Sequence, residues 1–233
     1  MIDMHLHSTF SYDGKAEVED IIAQVQKLGI NHFCITDHYE YENGKLVHDF
    51  NVEEYFLTMD KFDLPRGAEI SWDGVKEAIF PEGFDYLLLG VHRYDENLPP
   101  DELARDYLER TLYVMERVEF HTLAHLDYPA RYANADFKAN RDLIEKILRF
   151  LVAREKILEV NTAGLFKHGK PNPDYWILEM YWDLGGRFIT IGSDAHEVQH
   201  IGRGIEEVMS KLRRFNFEYV VVEGKKLFTK KLR

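Results

Sequence analysis

A chain of 233 residues with 45 % hydrophobic side chains has ample material for a core and fits one α/β domain spanning 1–233. Its 41 acidic residues against 29 basic give a formal charge of −12, which disfavours nucleic acid and anionic membrane as partners but leaves a small phosphorylated substrate open. No apolar run approaches the roughly 20 residues of a membrane span, no signal peptide is visible and the single Cys34 has no disulfide partner, so a cytoplasmic protein is expected.

Residues 1–7 (MIDMHLH) read as a buried strand ending in His-x-His. Strand side chains alternate between faces, so His5 and His7 project to the same side, about 7 Å apart along the strand. Two imidazoles so placed are a natural start to a metal site. A turn-rich loop over 8–14 follows. Val18, Ile21, Ile22, Val25 and Leu28 then recur at helical spacing until Gly29. A strand over 32–36 runs into Asp37-His38 and completes a β-α-β unit, whose crossover should be right-handed. The stretch 39–64 is the least regular, with Asn43-Gly44 and a short helix over 52–59.

Further on, a brief strand ends at Glu69-Ile70, and the apolar strand 84–91 is capped by His92. Pro99-Pro100 introduces a helix over 101–118. The strand 122–124 ends at His125-Leu126-Asp127, and a helix spans 141–154. The strand 157–161 precedes a helix over 173–184, in which Tyr175, Trp176, Tyr181 and Trp182 read as core. The strand 188–192 runs into Ser193-Asp194-Ala195-His196. A helix over 204–214, a strand over 219–222 and a hairpin turned at Gly224 close the chain.

This pattern amounts to seven strand-then-helix units, the third irregular. Strands so apolar need both faces covered, which points to a parallel sheet wrapped by helices. The candidate ligands fall at the C-terminal ends of the strands, the rim where α/β barrels carry their sites. An open doubly wound sheet rarely gathers ligands from six strands, so the expected fold is an α/β barrel.

Six histidines (His5, His7, His38, His92, His125, His196) and three carboxylates (Asp13, Glu69, Asp194) make nine candidate ligands. That exceeds one tetrahedral zinc and suits two or three divalent ions of zinc, manganese or iron. Three such ions against three carboxylates leave roughly three positive charges, which would draw a phosphate monoester into an acidic protein. Bridged ions would also supply hydroxide at neutral pH. Bland readings compete at single positions. Asp13-Gly14 is an ordinary turn signal, Glu69 could pair with Arg66, His92 could be solvated, and His121 shares the strand parity of His125. Asp37 reads as an orienting acceptor or cap rather than a ligand.

HLH near the N-terminus, TDH at 36–38, Glu69, His92, AHLD at 124–127 and SDAH at 193–196 together resemble the PHP (polymerase and histidinol phosphatase) superfamily, in that family's order and over essentially the whole chain. The resemblance implies a distorted (β/α)7 barrel with a trinuclear metal centre. One ion would take His5, His7, Glu69 and Asp194; a second Glu69, His92 and His125; a third Asp13, His38 and His196. The stretch 158–164 (LEVNTAG) is similar to one common in histidinol-phosphate phosphatases, although relatives often carry an arginine soon after that glycine and this chain has Leu165-Phe166-Lys167-His168. The implied activity is hydrolysis of L-histidinol phosphate, a step of histidine biosynthesis, through a metal-bridging hydroxide. Asp194 and His196 would be essential to it, and Asp127 is the candidate proton donor to the leaving alkoxide. Arg131, Lys167, His168 and Arg203 are candidates for gripping phosphate oxygens, on their loop positions alone. The rivals are a phosphoesterase acting on a nucleotide or oligonucleotide 3′ end, and a barrel that binds metal without turnover.

Overall fold

The computed structural model describes residues 1–231. β1 (Ile2–Leu6) is buried along its whole length, and α1 (Val18–Leu28) turns Val18, Ile21 and Val25 into an apolar cluster with Leu6 and Ile35. Gly29 ends α1 at φ +66, a left-handed conformation that costs glycine nothing sterically. β2 (His32–Ile35) then pairs parallel to β1. The chain bends at Thr36-Asp37 and continues as β3 (His38–Glu42), which leaves β1 and pairs parallel to β5 (Gly67–Trp72). Here the structure differs from the irregular segment expected. Asn43 and Gly44, both at positive φ, turn β3 into the antiparallel β4 (Lys45–His48), as a two-residue hairpin loop requires. α2 (Val52–Lys61) follows, capped by the Asn51 side chain, and its buried Tyr55 hydroxyl donates to the carbonyls of Gly67 (2.7 Å) and Ile35 (3.0 Å).

Beyond β5 the elements are β6 (Tyr86–Gly90), α3 (Pro100–Met115), β7 (Thr122–Leu123), α4 (Arg141–Ala153), β8 (Ile157–Asn161), the short α5 (Gly164–His168), α6 (Tyr175–Asp183), β9 (Phe188–Gly192), α7 (Ile205–Leu212), β10 (Glu218–Glu223) and β11 (Lys226–Lys231). Residues 73–85 hold no helix, so the third unit is a strand and a loop, whereas two helices follow β8. Glu69 lies within β5, which runs on to Trp72, not at a strand end.

A parallel ladder runs from β3 through β5, β6, β7 and β8 to β9. It closes through β1: the Asp194 amide donates to His5 O (2.9 Å), the His7 amide to Ala195 O (2.9 Å) and the Thr36 amide to Leu6 O (2.7 Å). Counting β2 and β3 as one bent strand, the ring has seven members, β1, β2–β3, β5, β6, β7, β8 and β9. Its distortion has a visible cause. The start of β9 pairs with β10 (Phe188 with Glu218, Ile189 with Tyr219), and the hydrogen bonds to β1 involve Asp194 and Ala195, just past its end. Together these elements make a distorted α/β barrel, parallel in its ring and wrapped by helices. Tyr181 is buried among the core side chains and donates to Phe188 O, as its apolar helix predicts.

Candidate metal centre

The ring strands and the loops that follow them bring nine candidate ligands to one place, most at C-terminal strand ends, Glu69 from within β5 and Asp13 from the loop after β1. His5 Nε2 lies 3.0 Å from His7 Nε2, 3.1 Å from Glu69 Oε2 and 3.6 Å from Asp194 Oδ1. His7 Nε2 lies 3.6 Å from Glu69 Oε2 and 3.3 Å from Asp194 Oδ1. Donors bonded at about 2.0–2.1 Å to a tetrahedral ion stand about 3.3 Å apart, so His5, His7 and Glu69 match one small divalent ion, with Asp194 Oδ1 beside both imidazoles. The other Glu69 oxygen, Oε1, is 2.8 Å from His125 Nε2 and 3.2 Å from His92 Nε2, which are 3.4 Å apart. Asp13 Oδ2 is 3.1 Å from His196 Nε2, and its Oδ1 is 3.8 Å from His38 Nε2, a looser third set whose two rings both stack with His7.

The donor chemistry fits cations. His5 Nδ1 donates to Glu159 Oε1 (2.6 Å) and His92 Nδ1 to Glu40 Oε1 (2.7 Å). In a neutral ring that bond leaves Nε2 a bare lone pair, here aimed at carboxylate oxygens and at another imidazole. Acceptors facing acceptors in a buried cluster call for a positive charge between them. Asp13 Oδ1 is likewise buried without a hydrogen-bond partner among the described residues.

Electrostatics agree. Burial and the neighbouring His38 and His196 push His7 down to about 3, so it offers a lone pair at neutral pH. Burial would raise the carboxyls of Glu69 and Asp194, but the charge of His5 beside them holds both well below the usual range. Burial works against protonated His5, His92 and His196, yet the carboxylates around them lift all three, His196 to about 9. Cation entry displaces those protons.

The scaffold is built around this cluster. A Cβ on Gly90 would stand 2.7 Å from Glu69 Oε1 and 3.0 Å from His92 Nε2, and one on Gly192 would stand 2.3 Å from the Cβ of His5. His125 and Asp194 occupy positive φ, 24° and 56°, at a cost of order 1–3 kcal/mol each. The His125 amide donates to Glu159 Oε2 (2.9 Å), and the Asp194 amide is held by His5 O. Asp3 accepts from the Ser193 amide and hydroxyl and the Gly202 amide, while Asp37 accepts from the Ser8 amide and hydroxyl. Asp37 thus acts on the loop after His7 as an orienting acceptor. Sequence reasoning missed Glu40, Glu159, Asp3 and Ser11, whose Oγ lies 3.1 Å from His7 Nδ1 and accepts from the His38 amide. Strand parity is the signal that could have found Glu40, two residues beyond His38 on the same face.

A cavity of about 660 Å³ opens above the cluster, lined among others by Tyr12, Glu42, His48, Arg131, Lys167 and Arg203. Arg131 is buried, donating through Nη1 to Asp194 Oδ2 (2.7 Å) and through Nε to Asn172 Oδ1 (2.7 Å), with Nη2 unpartnered among the described residues. Two expected site residues stand elsewhere. His168 does not line the cavity, because α5 turns its ring back towards Asn172. Asp127 is buried and does not line the cavity; its oxygens accept from Asn172 Nδ2 (2.6 Å) and the Asp174 amide (2.9 Å), and it braces the 172–174 loop. His121 lies away from the cluster, with Nδ1 accepting from the Leu87 amide.

Fold and site together define a distorted α/β barrel with histidine–carboxylate clusters able to hold metal ions at its strand ends. The PHP domain family model matches residues 3–163, and the chain belongs to that family. It is 85 % identical over 233 residues, all of both chains, to a probable histidinol-phosphatase of Thermotoga maritima. It is 28 % identical to the histidinol-phosphatase of Lactococcus lactis over 97 % of this chain and 96 % of that one. Among solved structures, the L. lactis histidinol phosphate phosphatase complexed with zinc, L-histidinol and phosphate shares the fold, with a TM-score of 0.83 at 24 % identity, covering 97 % of this chain and 98 % of that one.

Proposed function

We propose that this chain is a metal-dependent phosphomonoesterase that hydrolyses L-histidinol phosphate to histidinol and phosphate, with residues 1–233 as one catalytic unit. The observation that carries the reading is Glu69, which offers one carboxylate oxygen to each of two donor sets beneath a cavity of small-molecule size. The whole-length identity to a probable histidinol-phosphatase supplies the substrate. A place in histidine biosynthesis and in the cytoplasm belongs to the same reading; no described helix is long and apolar enough to cross a membrane.

His5, His7, Glu69 and Asp194 would hold one ion, Glu69, His92 and His125 a second, and Asp13, His38 and His196 a third. Zinc, manganese and iron all suit such donors. Divalent ions bound there supply Lewis acidity towards phosphoryl oxygens and activate water at neutral pH. The protein's own residues do the rest. Glu159 and Glu40 fix the rings of His5 and His92, so their Nε2 atoms face the cluster. Arg131, tied to Asp194 and with Nη2 unpartnered among the described residues, presents positive charge at the cavity floor, and Lys167 and Arg203 add theirs from the wall. Such preorganised cations favour the charge that develops on a transferring phosphoryl group.

Rates of phosphate release from L-histidinol phosphate, a nucleoside bisphosphate and a short oligonucleotide test the proposal. A clear preference for L-histidinol phosphate, with kcat/KM of about 10⁴ M⁻¹s⁻¹ or more, supports it. A preference for either nucleotide substrate would transfer the site to the rival phosphoesterase reading, which the formal charge of −12 disfavours for long polyanions.

A further inference from the structure

The cavity above the cluster is segregated by charge. Around a ring of seven strands, the β3–β4 hairpin and α5 stand three strands apart, the largest separation such a ring allows. On the α5 side, Lys167 lies over the Tyr132 ring and the Arg203 guanidinium over the Phe166 ring (3.3 Å), and neither forms an ion pair among the described residues. Most other charges lining the cavity are already matched. Arg131 is held by Asp194, Glu40 by His38 and His92, and Glu197 by Lys15. Glu42 is different. It is half-buried, lines the cavity and has no side-chain hydrogen bond or ion pair among the described residues. By strand parity it shares a face with Glu40, and Glu40 stands opposite His48 across the hairpin. The His48 ring stacks on Tyr12 at 3.6 Å and 12°, an aromatic shelf on the same side of the cavity.

A ligand that is anionic at one end and cationic at the other fits this layout. We infer that Glu42 is a specificity-determining residue that binds the ammonium group of an amino-alcohol phosphate, while Lys167 and Arg203 across the mouth face its phosphate. The inference rests on the histidinol phosphate reading and deepens it. At neutral pH the ammonium is the cationic end of that substrate and the phosphate its anionic end, and its imidazole finds the flat Tyr12–His48 shelf beside Glu42.

The test compares kcat/KM for L-histidinol phosphate with that for its deamino analogue, 3-(imidazol-4-yl)propyl phosphate, in metal-loaded wild type and in Glu42→Gln. The wild type should prefer the amine about ten-fold or more, as a charge-assisted contact supplies. In Glu42→Gln that preference should fall towards parity, with the loss in KM. An equal fall on both substrates would make Glu42 a structural hairpin residue and overturn the inference, as would an unmoved ratio. In either case good wild-type turnover of L-histidinol phosphate leaves the proposed function standing. Wild type that cleaves 4-nitrophenyl phosphate but neither imidazole ester would overturn both.

Discussion

Glu159 holds His5 through a 2.6 Å hydrogen bond from Nδ1 while both side chains are fully buried. Its second oxygen takes the amide of His125, a residue at φ 24°. One carboxylate therefore sets the ring of one candidate ligand and the backbone of another, in two different donor sets.

Glu159→Gln removes the charge from that arrangement while keeping the shape. Such partners of metal-binding histidines contribute about 10–100-fold in metal affinity or activity. Metal titration of the purified variant should show affinity reduced by that factor with the fold intact by circular dichroism. Wild-type affinity would remove Glu159 from the account.

Gly90 leaves the space that Glu69 and His92 share. Gly90→Ala puts a Cβ 2.7 Å from Glu69 Oε1 and 3.0 Å from His92 Nε2, so one or both must shift. Displacements of this order at a reacting centre cost up to about 100-fold in rate. The expected result is a kcat about two orders of magnitude lower and a reduced metal stoichiometry, checked by steady-state kinetics and elemental analysis.

Stripping the cations should also cost stability. The clustered carboxylates and imidazoles lose the charge that reconciles them, and a ligand held at 1,000-fold over its Kd contributes about 4 kcal/mol. For a chain of this size that corresponds to roughly 10 °C in Tm. Calorimetry before and after a strong chelator reads it directly, and an unchanged Tm would argue against resident ions.

A pH effect is expected far from the site. His121 accepts the Leu87 amide through Nδ1, and burial, with Lys156 nearby, lowers its pKa below 6.5. Its folded state therefore resists a proton that the unfolded chain accepts, so stability is lost as pH falls below 6.5. His121→Gln keeps an acceptor without titrating, and its Tm should fall less steeply with acid than that of the wild type.

Much of this architecture was legible in the chain. Long apolar strands and helices closed by glycine declare themselves through periodicity, and most of the nine ligand candidates stand at or just past the ends of those strands, Glu69 within β5 being the exception in the ring. The β3–β4 hairpin was hidden because its alternation is inverted. In His-Tyr-Glu-Tyr-Glu the polar residues His38, Glu40 and Glu42 face the cavity, while Tyr39 turns to the core. Glu159 escaped notice because a buried carboxylate in an apolar strand makes sense only once His5, 154 residues away in sequence, is beside it. Asp127 enters through the AHLD motif and His168 through a loop position alone, and neither lines the cavity. Along a tight turn or a short helix, neighbours in sequence point in different directions.

The most direct test of the account is phosphate release from L-histidinol phosphate by chelator-stripped protein, before and after zinc or manganese is restored. The account predicts no turnover in the stripped protein and, on reconstitution, a kcat/KM of about 10⁴ M⁻¹s⁻¹ or more, lost again in Asp194→Ala or His196→Ala. Turnover that survives stripping, or either variant working at the wild-type rate, would contradict it.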